Sequence, residues 1–176
     1  LVEKSLGDTE ASLKCHQESM RLKKLAYGNR HARVSVALFN ISLLLWGQAD
    51  DIGGDDDGYS DDENGSGSRK GDSAAGSSKR TDSRAWRLRE EAMEKMLDCL
   101  AIREEVYVPT HNRLLRAQEE ALEMAQYMLA KDDTRERAAV AKSVAKRGLR
   151  SREEKYGEDS KAAKKWREIF EEVDGN

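Results

Sequence analysis

At 176 residues the chain has room for one domain with a sizeable core but not for two of ordinary size. Two cysteines, Cys15 and Cys99, and three scattered histidines exclude a disulfide framework and a CxxC-type metal site, and place the chain by default in a reducing, cytoplasmic compartment. The formal charge of -3 is unevenly divided, because residues 49–85 carry ten acids against five bases whereas residues 134–167 carry twelve bases against five acids.

A single proline and abundant Ala, Leu, Glu, Lys and Arg predict helix nearly everywhere, and no alternating strand pattern is present. The first helix is expected from about Thr9 to Ala26, capped by Asp8 and stopped by Gly28. The second, from about His31 to Gly47, holds the longest apolar run, Val34 to Trp46, which falls short of the roughly 20 residues needed to cross a bilayer and reads as a buried helix. A third begins near Ser83 and ends by Val106, ahead of Pro109. The fourth spans about Thr110 to Ala130, with Leu114, Leu115, Ala121, Leu122, Ala125 and Leu129 on its inward stripe. Asp133 and Glu136 form a capping-box pair that opens a fifth helix ending at Lys155 before Gly157. The sixth, Ser160 to about Val173, sets Trp166, Ile169, Phe170 and Val173 on one face. Short loops between neighbours imply antiparallel packing.

Between the second and third helices stands "DDIGGDDDGYSDDENGSGSRKGDSAAGSSKRTDS", a composition that cannot bury enough apolar surface to offset the entropy of ordering it. It does not read as a calcium loop: with Gly58 as the turn glycine, the first ligand position falls on Gly53, which has no side-chain oxygen. The third, fifth and first helices share a pattern of small residues. Ser12-x3-His16-x2-Ser19-Met20 leads to Tyr27; Ala92-x3-Met96-x2-Cys99-Leu100 leads to Tyr107; Ala141-x3-Ala145-x2-Gly148-Leu149 leads to Tyr156. Small residues recur where helices approach closely. The intervals between the tyrosines, 80 and then 49 residues, make the acidic, Ser/Gly-rich stretch an insert in a repeat. The expected organisation is one all-α domain: helices one and two in 1–48, a disordered insert in 49–82, and helices three to six in 83–176.

The stretches "ESMRLKKLAYGNRHARVSVALFNISLLLWGQ" and "EEAMEKMLDCLAIREEVYVPTH" resemble tetratricopeptide repeats, in particular the long-helix variety of kinesin light chains and nephrocystin-like proteins. Leu38, Ile41, Ser42 and Leu45 occupy the signature places of a repeat's first helix, while Gln118 and Ala121 depart from them in the fourth helix. The resemblance implies antiparallel hairpins stacked as a solenoid with a concave groove. The chain then starts with the second helix of one repeat and ends with the first helix of another, which, with a leading Leu in place of Met, reads as a piece of a longer array.

Asn40 matches the second Asn of that family's "LNNLA" segment, which implies a groove position where an amide can both donate to and accept from a peptide backbone. Arg33, with Arg30 and His31, stands near the start of the same helix and could add cationic contacts, and Glu119, Glu120 and Glu123 fall at groove positions of the fourth helix, an acidic wall suited to a basic segment. Lys142, Lys146 and Arg150 form a basic series without aromatic neighbours, so nucleic acid is not the expected partner. Ser60, followed by Asp61, Asp62 and Glu63, stands in an acidic context suited to phosphorylation. His16, Cys15 and Cys99 read as packing residues.

No nucleophile, base and orienting group are marked out together, so no enzyme activity, cofactor or metal is expected. The expected function is a non-enzymatic module within a larger scaffold or adaptor, binding a protein or peptide partner in its groove. An alternative from another class rests on "REEKYGEDSKAAKKWREIFEEVDGN", which looks like the closing helices of SET/MYND-type lysine methyltransferases; a catalytic domain would then lie upstream.

Overall fold

The computed structural model describes the backbone of residues 2–53, 75–132 and 134–175 and the side chains of residues 9–52, 84–132 and 134–175. Six α-helices account for nearly all of it, with no strand among the described residues: α1 (Val2–Tyr27), α2 (Ala32–Gly53), α3 (Ala75–Val106), α4 (Asn112–Lys131), α5 (Arg135–Tyr156) and α6 (Lys161–Gly175). Each helix packs chiefly on its neighbours in the chain, most extensively α2 on α3.

Tight turns set this order. Gly28 and Gly157 adopt φ of 83° and 85°, which a side chain would resist, and their N–H groups close the last turns of α1 and α5 on Lys24 and Glu153 at 2.9 Å. Ser160 opens α6 with its Oγ accepting from the Ala163 N–H at 3.1 Å. Two expected starts shift. Asp8 is not a cap, because α1 already runs from Val2 and propagates through it at one hydrogen bond per residue. Thr134 is the N-cap of α5, without a side-chain bond, and Asp133 lies outside the described residues.

The helices also reach further into the acidic insert than its composition predicts. α2 continues to Gly53 because Ala49 is fully buried, Gln48 is buried, and the Asp50 carboxylate accepts from Arg89 of α3 at 3.0 Å. α3 begins at Ala75. Residues 54–74, the rest of the expected insert, lie outside the described residues, as does Ser60.

By length and composition Ala32–Ile52 could cross a membrane, but 56% of its apolar 18-residue window is buried inside the fold, between α1 and α3, as a core helix is. Val34, Leu38 and Phe39 of α2 join Met96, Cys99 and Leu100 of α3 and Leu114, Leu122 and Met124 of α4 in the main core. A satellite gathers Ile41 and Leu45 against Ala92, flanked by Leu13 and Met20 of α1. Contacts also skip one helix. Ser42 Oγ lies 3.7 Å from Met124 Sδ and Trp46 meets Tyr127 edge-on at 5.5 Å, joining α2 to α4, while Arg137–Glu90 and Arg147–Glu104, each at 3.2 Å, join α5 to α3.

The repeated small residues of α3 and α5 sit where neighbouring helices meet. Ala92, Cys99, Ala141 and Ala145 are fully buried, and the Ala92 carbonyl accepts from Ser42 Oγ at 2.7 Å. Gly148 is the tightest: a Cβ there would stand 1.8 Å from Cζ3 of Trp166. The closing residues differ, since Leu100 is fully buried and Leu149 only half-buried.

Gly148→Ala is expected to lower stability by about 1–3 kcal/mol in urea unfolding, and Trp166→Leu in the same chain to recover part of that loss through coupling of the touching pair. Leu100→Ala should cost about 2–5 kcal/mol in the same measurement and Leu149→Ala distinctly less, because its cavity opens partly to water.

Candidate functional site

α2 and α4 start alike. Tyr27-x3-His31-x-Arg33 and Tyr107-x3-His111-x-Arg113 recur 80 residues apart, and each forms the same local structure. The tyrosine and histidine rings stack with centroids 4.7 Å apart in the first and 4.1 Å in the second. His31 Nδ1 accepts from the Arg33 N–H and His111 Nδ1 from the Arg113 N–H, both at 3.1 Å, which satisfies one of the donors a helix start leaves open. The arginine returns to the tyrosine hydroxyl: Arg33 donates to Tyr27 while lying 4.7 Å over its ring, and Arg113 donates to Tyr107 at 3.3 Å. His31 and Arg33 are therefore first a cap and its clasp, rather than free cationic contacts. Arg30 is also engaged, in an ion pair with Glu105 at the end of α3.

The expected groove residues lie on α2 and α4, beyond these starts. Asn40 is half-buried on α2 and its counterpart 80 residues on is Glu120, half-buried on α4. Glu120 is paired with Arg116, one turn earlier, at 3.7 Å. Glu123 is exposed. Glu119 is drawn off to the α5 side, where its carboxylate accepts from Arg152 at 2.8 Å. The acidic wall expected from three glutamates is thus partly neutralised from within, and Arg113 and Arg116 add positive charge beside it.

Two buried arginines escape a reading of the sequence alone. Arg152, 2% exposed, donates to Gln118 Oε1 and the Gly148 carbonyl at 3.1 Å and to the Leu115 carbonyl at 3.2 Å, and its guanidinium lies 3.8 Å over the Trp166 ring. Gln118, the residue that departs from the repeat signature, is held by this arginine and donates to Ser151 Oγ at 3.0 Å. Arg103, 4% exposed, stands four residues before its tyrosine as Arg152 does, but meets Phe39 at 4.6 Å in place of a carboxylate. One guanidinium nitrogen donates to the Arg113 carbonyl while Nε has no partner among the described residues. Burial pushes both arginines below the usual guanidinium range, with Glu119 countering it at Arg152 and Arg113 and Arg116 adding to it at Arg103. The signal that could have found them is the spacing Lys23, Arg103, Arg152, each four residues before a repeat tyrosine.

Of the remaining candidates, Cys99 is buried with its thiol pushed up to about 11 by desolvation, an inert packing residue. Cys15, expected to pack, is exposed, and His16 is half-buried. Among the described residues no three His, Cys, Asp or Glu side chains come together as a metal site. Compared with known proteins, the chain matches no family model and no curated sequence.

His111→Ala is expected to cost about 0.5–2 kcal/mol in thermal unfolding, and His111→Asn, which keeps a short acceptor at the N-cap, much less.

Proposed function

We propose that the protein is a non-enzymatic, tetratricopeptide-like interaction module, and that a peptide or partner helix binds along the face shared by α2 and α4. The observation that carries this reading is the contact of alternate helices, α2 with α4 and α3 with α5, which is how stacked helical hairpins form two layers. The even-numbered layer offers a surface with Asn40 and Glu120 at equivalent places and Glu123 one turn beyond. Asn40 supplies both donor and acceptor at a half-buried position, where an amide bond to a peptide backbone is not lost to water. With Glu119 and Glu120 held by arginines, Glu123 is the acid best placed to meet a basic residue of the partner.

The test is selection from a random peptide library on the immobilised chain, followed by affinity measurement for the selected peptide. Asn40→Ala should weaken binding by about 1–3 kcal/mol. Glu123→Lys should weaken it too, by an amount that shrinks as salt is raised. A selected peptide whose affinity neither change alters, in variants of unchanged helix content, would remove this face as the binding site.

A further inference from the structure

A crevice of about 300 Å³ lies between the end of α3, the first half of α4 and the second half of α5, at the low end of the roughly 300–1,000 Å³ range of ligand pockets. Leu114 and Pro109 give it an apolar side, and Gln118 and Ser151, 1% and 4% exposed, give it a polar one. One unit earlier the same place is filled differently. Leu38 stands 80 residues before Gln118 and Ile102 stands 49 before Ser151, and both are buried in the main core. Arg147 and Arg150, which also line the crevice, have Asp98 and Ala101 as their counterparts, so the polar side and its cations belong to this unit alone.

Hydrogen bonding inside the crevice leaves donors over. Gln118 is spent: its Oε1 accepts from Arg152 at 3.1 Å, and its Nε2 donates to Ser151 Oγ at 3.0 Å and to the Arg147 carbonyl at 3.5 Å. The buried Ser151 hydroxyl accepts that bond, and its own proton meets no acceptor among the described residues. Arg147 donates from Nε to the Ser143 carbonyl at 3.3 Å and from Nη1 to Glu104 at 3.2 Å, while its Nη2 has no partner among the described residues. Arg150, which is exposed, is likewise unpartnered among them. Glu104 is the acid of the lining and Arg147 matches it, so Arg150 stands as one cation in excess. A single excess cation suits a monoanion better than a phosphate dianion, and a cluster of unspent donors suits the two oxygens of a carboxylate.

We propose that this crevice binds an aliphatic monocarboxylate, whose oxygens accept from Arg150, from Arg147 Nη2 and from the Ser151 hydroxyl while its hydrocarbon lies against Leu114 and Pro109. The apolar C-terminal residue of a peptide and a free aliphatic acid both present this chemistry. The site does not use Asn40 or Glu123 and stands independently of the α2–α4 face.

The probe is N-acetyl-leucine, titrated into the isotope-labelled full chain and followed by NMR at the Ser151 amide and the Arg147 Nε–H, with N-acetyl-leucine amide as its uncharged counterpart. Saturable shifts are expected with the acid, in the weak range proper to so small a ligand, and binding of the amide at least about tenfold weaker. Arg150→Glu, at an exposed position, should weaken the acid by about tenfold or more, and Ser151→Ala by roughly three- to tenfold, with helix content unchanged. Lys142→Glu makes the same charge change two turns away on α5 and should leave binding unaltered, as should Asn40→Ala. A short peptide ending in leucine and free 4-methylpentanoate then separate the two sources, the tighter of them naming which one the crevice fits, and both should compete with N-acetyl-leucine. Absence of saturable shifts, equal binding of acid and amide, indifference to Arg150→Glu, or tighter binding of inorganic phosphate than of N-acetyl-leucine would overturn the proposal.

Discussion

The contact on which the second half of the fold depends is the Trp166 indole seated on Gly148, with the Arg152 guanidinium over the ring. Gly148 leaves the space, since no side chain fits between the α5 backbone and the indole. Trp166 joins α6 to α5, and Arg152 joins both to α4 through Gln118, Glu119 and the Leu115 carbonyl. A guanidinium that is 2% exposed is costly to desolvate. It is retained here because four hydrogen-bond acceptors and a ring face surround it, and such a network holds its members in one arrangement better than apolar contact alone.

The equivalent place one unit earlier is solved differently. Arg103 has Phe39 where Arg152 has Glu119, so a cation–π contact replaces an ion pair and Nε is left without a partner among the described residues. Two further guanidiniums, Arg113 and Arg116, lie near enough to lower its pKa, and Arg116 stands over the same ring at 5.4 Å. Phe39 is thus shared between cations from α3 and α4. It links these helices to α2 through its ring face and its burial, with no charge to be compensated.

The first unit completes the series. Lys23 takes the corresponding place in α1, where the residues matching the small ones buried in α3 and α5 are half-buried. The helix starts repeat with equal fidelity. The Tyr–His–Arg clasp fixes where α2 and α4 begin, and hence where Asn40 and Glu120 stand relative to each other. Ser160 does the same work for α6 without a ring.

Six helices, the stops at Gly28 and Gly157, the break ahead of Pro109 and the period of the small residues were determined by sequence alone, because each depends on local backbone preference or on apolar spacing along one helix. Of the candidate site, the sequence offered Asn40 and the three glutamates through a resemblance, whereas the holding of Glu119 and Glu120 by arginines depends on packing and on side-chain geometry. Tertiary structure alone decided the rest. Ala49 and Asp50 belong to α2 because the first is fully buried and the second pairs with Arg89 of α3, although their neighbours have the composition of a loop. Gln118, a misfit by pattern, is satisfied by an arginine 34 residues away. Cys15 and Cys99, alike in sequence, differ in burial because only the second lies beneath neighbouring helices on both sides. Local chemistry sets where a helix begins and ends, but the energy of a buried charge or a half-covered face depends on atoms that only the packed chain brings near.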